Sequence, residues 1–200
     1  MDGIDWAGSA MTAARTRLDI ATGNLANVST NGFQKIVAHG TLTARGAVVE
    51  PLRAAEGGAI RHTGRPYDLA IVGGGVFRVR DEAGNVSATR NGAFSRERDG
   101  SLRDDAGRTL LGLHGILRVP EGATLDDRGR VMFGGRQIDR IPVDPGASIR
   151  SGYLEAANVD AIGEMVDILS AQRSFESAEK VVAAIDSTRQ KASNDVARLK

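Results

Sequence analysis

The string most suggestive of chemistry is residues 68–75, an apolar run that leads into three consecutive glycines. A dinucleotide-binding unit begins with such a strand. It also needs the pattern G-x-G-x-x-G at the start of a helix, because the pyrophosphate sits at the helix N-terminus. Gly73 and Gly75 fit this pattern, but Arg78 occupies the third position and residues 76–80 alternate as a strand does. The pattern therefore favours a turn between two strands.

Other residue types that do chemistry are not grouped as a site requires. His39, His62 and His114 lack the i, i+4 spacing of a helical metal site. The acidic pairs at 104–105 and 126–127 adjoin glycines in turn contexts and lack the pattern of a calcium-binding loop. The chain has no cysteine, no nucleophile elbow and no phosphate-binding loop. We expect no enzymatic activity, cofactor or metal, although a catalytic triad assembled from distant residues would leave no local motif.

Composition narrows the class of partner. The 26 basic and 25 acidic residues leave a net charge of +1, and aromatic residues do not alternate with basic ones. Both features argue against nucleic-acid binding. No window approaches the roughly 20 apolar residues of a membrane span, so we expect no membrane insertion. The N-terminal segment lacks the basic start and apolar run of a secretory signal, so any export is expected to proceed without a cleaved signal peptide.

The N-terminal segment has the pattern of an amphipathic helix. Apolar residues recur at alternating spacings of three and four, which is a heptad seam. The seam residues are Ile4, Ala7, Met11, Ala14, Leu18, Ala21, Leu25 and Val28. The polar run at 27–32 has turn chemistry, so we predict a helix over about residues 3–28.

The C-terminal segment predicts a second helix, capped by Asn158 or Asp160. One apolar stripe comprises Val159, Ile162, Val166 and Leu169, and another comprises Phe175, Ala178, Val182 and Ile185, with a change of phase near Arg173. The large residues of the N-terminal seam are too few to offset the entropy lost on ordering that helix alone. We therefore expect the two termini to pair with each other, with other copies of the chain, or with both.

Between the helices, short apolar runs alternate with turn signals every 8–12 residues, which is typical of antiparallel hairpins. The predicted strands are 69–72, 76–80, 86–90, 110–111, 116–119, 131–133 and 137–141. The sequence thus predicts an α+β fold in which terminal helices pair as a coiled-coil-like module around an inserted antiparallel β domain. The expected divisions are 1–35 and 151–200 for the assembly modules and 36–150 for the β-rich middle.

Four strings in this sequence together resemble the flagellar axial proteins, the family of rod, hook and hook-associated subunits. They are NLANVSTNGFQK at 24–35, DLAIVGGGVF at 68–77, TRNGAFS at 89–95 with DGSL at 99–102, and GYLEAANVD at 152–160 followed by EMV and AQRSFE. They occur in the family's order and span nearly the whole chain. Hook proteins carry larger inserted domains than 200 residues can hold, so the resemblance is greatest to rod proteins.

The resemblance implies a structural subunit that polymerises with itself and with other rod or hook subunits into the shaft that crosses the periplasm. It also implies export by the flagellar type III apparatus. The assembly residues are predicted to be Ile4, Met11, Leu18, Asn24, Leu25, Asn27, Gly32, Phe33, Val159, Ile162, Val166, Leu169, Phe175 and Val182. A hook or hook-associated protein, and a non-flagellar coiled-coil assembly protein, are the alternatives.

Overall fold

The computed structural model describes residues 3–43 and 46–198. The outermost residues of the predicted terminal modules, Met1, Asp2, Leu199 and Lys200, lie outside this range. The fold is α+β, with two long helices, α1 (Gly3–Ala26) and α2 (Ala161–Arg198), on either side of short antiparallel strands. Neither helix is apolar enough over its described length to cross a lipid bilayer.

Fifteen strands are formed in the described residues. They are β1 (Ile36–Thr43), β2 (Gly46–Arg53), β3 (Ile60–His62), β4 (Leu69–Val72), β5 (Phe77–Arg80), β6 (Val86–Thr89), β7 (Phe94–Arg96), β8 (Leu102–Asp104), β9 (Thr109–Gly112), β10 (Gly115–Ile116), β11 (Thr124–Leu125), β12 (Arg130–Phe133), β13 (Arg136–Arg140), β14 (Ser148–Ser151) and β15 (Tyr153–Glu155).

These elements form two compact units. The first contains the described residues up to Val28, Lys35–Ala54, and the described residues from Val159 onward; the second contains Ser29–Gln34 and Ala55–Asn158. The region predicted as the β-rich middle, 36–150, is therefore divided. The hairpin of β1 and β2 lies in the first unit because it packs against α1.

In the first unit, α1 and α2 pack against each other in antiparallel directions. A Cβ added at Gly3 would lie 3.2 Å from the Cδ1 atom of Ile185, whereas Asn24, at the other end of α1, bonds to Glu164 near the start of α2. Asp160 caps α2, since its carboxylate accepts a hydrogen bond from the Ile162 amide at 3.1 Å. Asp160 is thus the cap among the two predicted residues.

The second unit is built from antiparallel strands around one apolar core. Its largest sheet has the order β6-β5-β9-β8-β7, with β10 paired to β9. Separate small sheets are formed by β11-β12-β13, β14-β4 and β15-β3. The buried core residues are Leu69, Ile71, Phe77, Val79, Phe94, Leu102, Leu110, Leu117, Val119, Val131, Ile141 and Ile149. The glycines 73–75 lie between β4 and β5, so the apolar run at 68–75 leads from one strand to the next.

The strand predictions have one substantial correction. In the segment predicted as a strand at 116–119, the regular pairing with β9 covers only Gly115–Ile116 and is followed by one hydrogen bond from the Leu117 amide to the Leu110 carbonyl. Arg118 forms a single bridge with Ser101. Leu117 and Val119 are nevertheless buried, so the alternation that suggested a strand reflects core packing of an irregular segment. The predicted strand at 110–111 is β9, which spans Thr109–Gly112.

Four hairpin turns of the second unit, at 81–85, 97–101, 104–108 and 126–130, share one hydrogen-bonding scheme. In each, the first residue's amide donates to the fifth residue's carbonyl, and the fourth residue's amide donates to the first residue's carbonyl. The fourth residue is always glycine, with φ between 71° and 91°, because few other residues adopt a positive φ without strain. The same turn geometry thus connects four of the antiparallel strand pairs of this unit.

The carboxylates in these turns hold their backbone through hydrogen bonds. Side-chain hydrogen bonds from Asn85 and Ser101 lower the pKa of Asp81 and Asp99, respectively. Partial burial of Asp126 opposes its ionisation, but the hydrogen bonds and charge of Arg130, together with a hydrogen bond from the Arg128 amide, outweigh this effect and lower the pKa of Asp126 as well. A lowered pKa means that folding favours the ionised form.

The second unit is therefore expected to lose stability in acid. The unfolded chain, with aspartate pKa near 3.9, binds more protons than the folded unit at low pH. The stabilisation is complete above about pH 4 and is lost as the pH falls through the lowered values. Urea midpoints between pH 2 and 6 test this, with tyrosine near-ultraviolet dichroism as the probe, because Tyr67 and Tyr153 both lie in this unit. A variant with Asp81, Asp99 and Asp126 replaced by asparagine should show a flatter pH profile. An unchanged profile would contradict the prediction.

Candidate assembly surface

The predicted seam of α1 faces inward in the first unit. Its alanines, Ala7, Ala14 and Ala21, are buried. The larger predicted seam residues, Ile4, Met11, Leu18 and Leu25, are half-buried. Small side chains allow helices to approach closely, and the longer residues then fill the margins of the contact. This seam belongs to the packing of α1 within its own unit.

A buried polar cluster joins the C-terminal end of α1 to β1 and α2. Asn24, which is fully buried, donates to the Ile36 carbonyl at 2.7 Å and accepts from the Ile36 amide at 2.9 Å. Its side chain therefore pairs with Ile36 as a strand backbone would. The same amide nitrogen donates to Glu164 at 3.1 Å. One side chain thus ties together three segments of the first unit.

The carboxylate of Glu164 completes this cluster. It is 1% exposed, and the Lys35 ammonium lies 2.6 Å from its second oxygen. Burying a carboxylate is costly unless it is paired and hydrogen-bonded, and here both conditions are met. The sequence predicts Asn24 as an assembly residue but does not predict Lys35 or Glu164. The sequence does contain a signal for Glu164, because this residue lies at helical spacing from the apolar residues of α2 that face into the first unit, which form an inward stripe.

That inward stripe of α2 runs without a change of phase. Its members are Glu164, Ile168, Ala171, Phe175, Ala178, Val182 and Ile185, all buried or half-buried. The phase change predicted near Arg173 arose because Glu164 was not counted as an inward residue. The predicted site residues Phe175 and Val182 therefore face inward within the first unit.

The other predicted stripe of α2 lies on the opposite side of the helix and is open to solvent. Ile162 is 75% exposed, Val166 is 56% exposed and Leu169 is 53% exposed, with Met165 beside them at 52%. We call these four residues the exposed apolar stripe. Farther along the same side, the helix carries the exposed charged residues Arg173, Glu176 and Lys180. Most of the exposed apolar surface of α2 thus lies in its first turns, with Val181, 49% exposed, farther along the helix. The predicted residue Val159 lies half-buried just before those turns.

The remaining predicted residues lie at or after the end of α1. The Asn27 side chain donates to the Gly23 carbonyl at 2.9 Å, one turn earlier in the chain. Gly32 and Phe33 belong to the second unit. Gly32 has φ 68°, and a Cβ there would lie 2.2 Å from the carbonyl carbon of Arg90. Gly32 is thus required by a close approach of backbone as well as by its dihedral angle.

Family models match three successive parts of the chain. The model described as "Flagella basal body rod protein" matches residues 4–34. The "Flagellar hook protein FlgE/F/G D1 domain" model matches residues 70–138. The model for the C-terminal part of the "Flagellar basal body rod FlgEFG protein" matches residues 150–195. The first and last of these cover α1 and most of α2.

Curated relatives agree with these matches. The chain is 25% identical to the flagellar basal-body rod protein FlgG of Agrobacterium fabrum, over 90% of this chain and 94% of that protein. It is 26% identical to the rod protein FlgF of Caulobacter vibrioides, over 100% of this chain and 98% of that protein. It is 35% identical to the flagellar hook protein FlgE of Brucella abortus, over 52% of this chain but only 29% of that protein.

Proposed function

The chain belongs to the family of flagellar basal-body rod proteins, and on that basis we propose that it assembles into the rod by burying the exposed apolar stripe of α2 against neighbouring subunits. The proposed neighbours are further copies of the chain and other rod or hook subunits. The assembled shaft would cross the periplasm and transmit motor torque to the hook. The proposed route of export is the flagellar type III apparatus, without a cleaved signal peptide.

The exposure of this stripe is the observation that carries the proposal. Full burial of each such side chain contributes about 1.5–3 kcal/mol. Its four members lie on successive turns of one face, so another helix could cover them together. An interface between two different faces of identical subunits repeats without closing when the rotation permits, and this generates a helical filament.

The finer roles of the predicted residues follow from their positions. Ile162, Val166 and Leu169 are proposed to contact neighbouring subunits, with Val159 at the margin of that contact. Ile4, Met11, Leu18, Leu25, Phe175 and Val182 are proposed to form the coiled-coil-like pairing of α1 with α2. The antiparallel packing of these helices supports that pairing. Asn24, Asn27, Gly32 and Phe33 are proposed to shape the chain where α1 ends.

A hook protein is the nearest alternative. The higher identity to the hook relative favours it, but that match spans only 29% of the hook protein, against 94% of the FlgG relative. The rod relatives are longer than this chain, because the aligned stretches of 245 and 249 positions exceed its 200 residues, but the matches span nearly the whole of those relatives, and this coverage supports the rod.

Deletion of the gene in the bacterium that carries it tests the function. We expect deleted cells to lack hooks and filaments and to be immotile. A complementing copy with a short epitope tag in the exposed turn around Gly84 should restore swimming. It should also be detected by immunogold labelling in the rod of purified basal bodies. Normal flagella after deletion, or label confined to the hook, would overturn the proposal.

A further inference from the structure

Three short segments of the second unit lead to or from the first unit. The first is residues 29–34, which we call the N-terminal segment. The second begins at Ala55, and the third, which we call the C-terminal segment, ends at Asn158. Every passage of the chain from one unit to the other starts or finishes in one of these segments. Any force carried by the covalent chain between the units therefore enters the second unit through them.

The C-terminal segment holds the N-terminal one through backbone hydrogen bonds. The Gly32 amide donates to the Glu155 carbonyl at 2.8 Å, and the Asn158 amide donates to the Phe33 carbonyl at 3.3 Å. Because Gly32 is in van der Waals contact with the Arg90 backbone, the N-terminal segment is also fixed against the loop that contains Arg90. The N-terminal and C-terminal segments are therefore held side by side.

The same C-terminal segment also holds the segment that begins at Ala55. The Ala156 amide donates to the Ala59 carbonyl at 2.9 Å. The Asn158 side chain donates to the Glu56 carbonyl at 2.7 Å. A Cβ added at Gly58 would lie 1.8 Å from the Ala156 carbonyl oxygen, so the two backbones touch. All three segments thus converge on residues 155–158.

The side chains of Glu155 and Arg90 fix this convergence to the β core. Glu155 is buried, and one of its oxygens accepts from the Gly58 amide at 3.0 Å. The other oxygen accepts from the Nε and Nη2 atoms of Arg90 at 2.8 and 2.7 Å. Only 9% of the Arg90 side chain is exposed. Such a charge-assisted double contact has a defined geometry.

Arg90 has further partners on the glycine-rich loop between β4 and β5. Its guanidinium donates to the carbonyls of Ile71, Gly73 and Gly75, at 3.1, 3.1 and 2.9 Å. The planar guanidinium presents five donors in a fixed arrangement, which lysine cannot reproduce. Arg90 therefore links the core strand β4 directly to Glu155.

We propose that Arg90 and Glu155 form an anchor that fixes the three connecting segments to the β core and so transmits torque between the two units of each subunit. The mechanical part rests on the proposed rod function. Three of the four strings that resemble the axial family contribute to this cluster, through Arg90, through Glu155, and through Gly73 with Gly75. Gly32, from the fourth, lies against the Arg90 backbone. The anchor gives these distant strings one physical role.

Limited proteolysis of the full-length chain tests the anchor without flagella. In Arg90→Met and Glu155→Gln variants, a protease of broad specificity should cut within 29–34, 55–58 or 155–158 at least tenfold faster than in the parent. The cleavage rate of Arg90→Lys should lie between the rates of the parent and of these two variants, because lysine keeps the positive charge but lacks the planar set of donors of the guanidinium. The matched control is Arg118→Ala, which removes an exposed arginine whose ion pair with Asp99 spans 3.4 Å. Parental cleavage rates in all three anchor variants would overturn the proposal.

A second measurement in cells separates the anchor from the rod function itself. Cells that carry Arg90→Lys should assemble basal bodies containing the subunit, but their rotation speed should fall more steeply than the parent's as medium viscosity rises. Parental speed at high viscosity would overturn torque transmission by the anchor. Absence of the parent protein from basal bodies would instead overturn the rod function, whereas the proteolysis result would still stand on its own.

Discussion

Replacement of Leu169 by aspartate is expected to prevent rod assembly while leaving the monomer folded. Leu169 is 53% exposed on α2, so its replacement removes little packing within the chain. In an assembled rod the same position would lose a contribution of about 1.5–3 kcal/mol. It would also bury a carboxylate, which costs several kcal/mol more when no partner is present. Repetition of this penalty at every subunit should abolish assembly.

The measurement is the amount of subunit in purified basal bodies, together with the swimming of complemented cells. The free energy of unfolding of the purified monomer should remain within about 0.5 kcal/mol of the parent's, as is usual for substitutions at exposed positions. Ser177→Asp is a matched control, because it adds the same charge at an exposed position of α2 outside the exposed apolar stripe. Normal rods with Leu169→Asp would show that this stripe is not an interface.

Periodicity was sufficient to predict both helices. The heptad seam predicted residues 3–28, and α1 spans Gly3–Ala26. A helix is encoded by local spacing and by caps such as Asp160, so distant residues are not needed to find it. The α+β class followed from the same local patterns. The two faces of α2 could not be ranked, because either apolar stripe satisfies the same spacing.

Several strands were not predicted because their residues lack alternation. The hairpin of β1 and β2 contains glycine and proline, and most of its side chains are exposed. The strands β3 and β15 pair across about 90 residues of sequence, with His62 opposite Tyr153. Such strands are defined by their partners rather than by their own composition. Residue patterns within a short window carry no information about those partners.

The buried ionic clusters were the least predictable features. Asn24 and Glu164 are 140 positions apart, and Arg90 and Glu155 are 65 apart. Local pattern treats a charged residue as a marker of solvent. A buried, paired carboxylate such as Glu164 therefore reads as an interruption of the apolar stripe that it belongs to. Only the tertiary structure identifies its partners.

Replacement of Asn24 by alanine is expected to destabilise the first unit by about 3 kcal/mol. The substitution removes two hydrogen bonds to Ile36 and one to Glu164. Each buried polar group left without a partner costs about 1–3 kcal/mol. Water can reach half-buried Ile36 and reduce part of this cost. The loss should be confined to the unit that contains α1, β1 and α2.

Urea unfolding followed by tryptophan fluorescence measures this loss. Trp6, the only tryptophan of the chain, lies in α1 and reports on the first unit. The tyrosine signal of the second unit should keep its parental midpoint. Asn27→Ala is the matched control, because it removes the same side-chain amide from a half-buried position outside the cluster. Its effect should be below about 1 kcal/mol, the net value of a typical hydrogen bond.

Asn24→Asp distinguishes the specific cluster from general packing. It keeps the shape of the side chain but places a carboxylate beside that of Glu164, and like charges at this distance favour protonation of one of them. The carboxylate introduced at position 24 is therefore expected to hold a proton more tightly in the folded variant than in its unfolded chain. Stability of the variant should be greatest below about pH 4 and fall as the pH rises toward 7. Adding Glu164→Gln removes the repulsion, so the double variant should recover part of the loss at pH 7. Additive effects of the two substitutions would contradict direct coupling between Asn24 and Glu164.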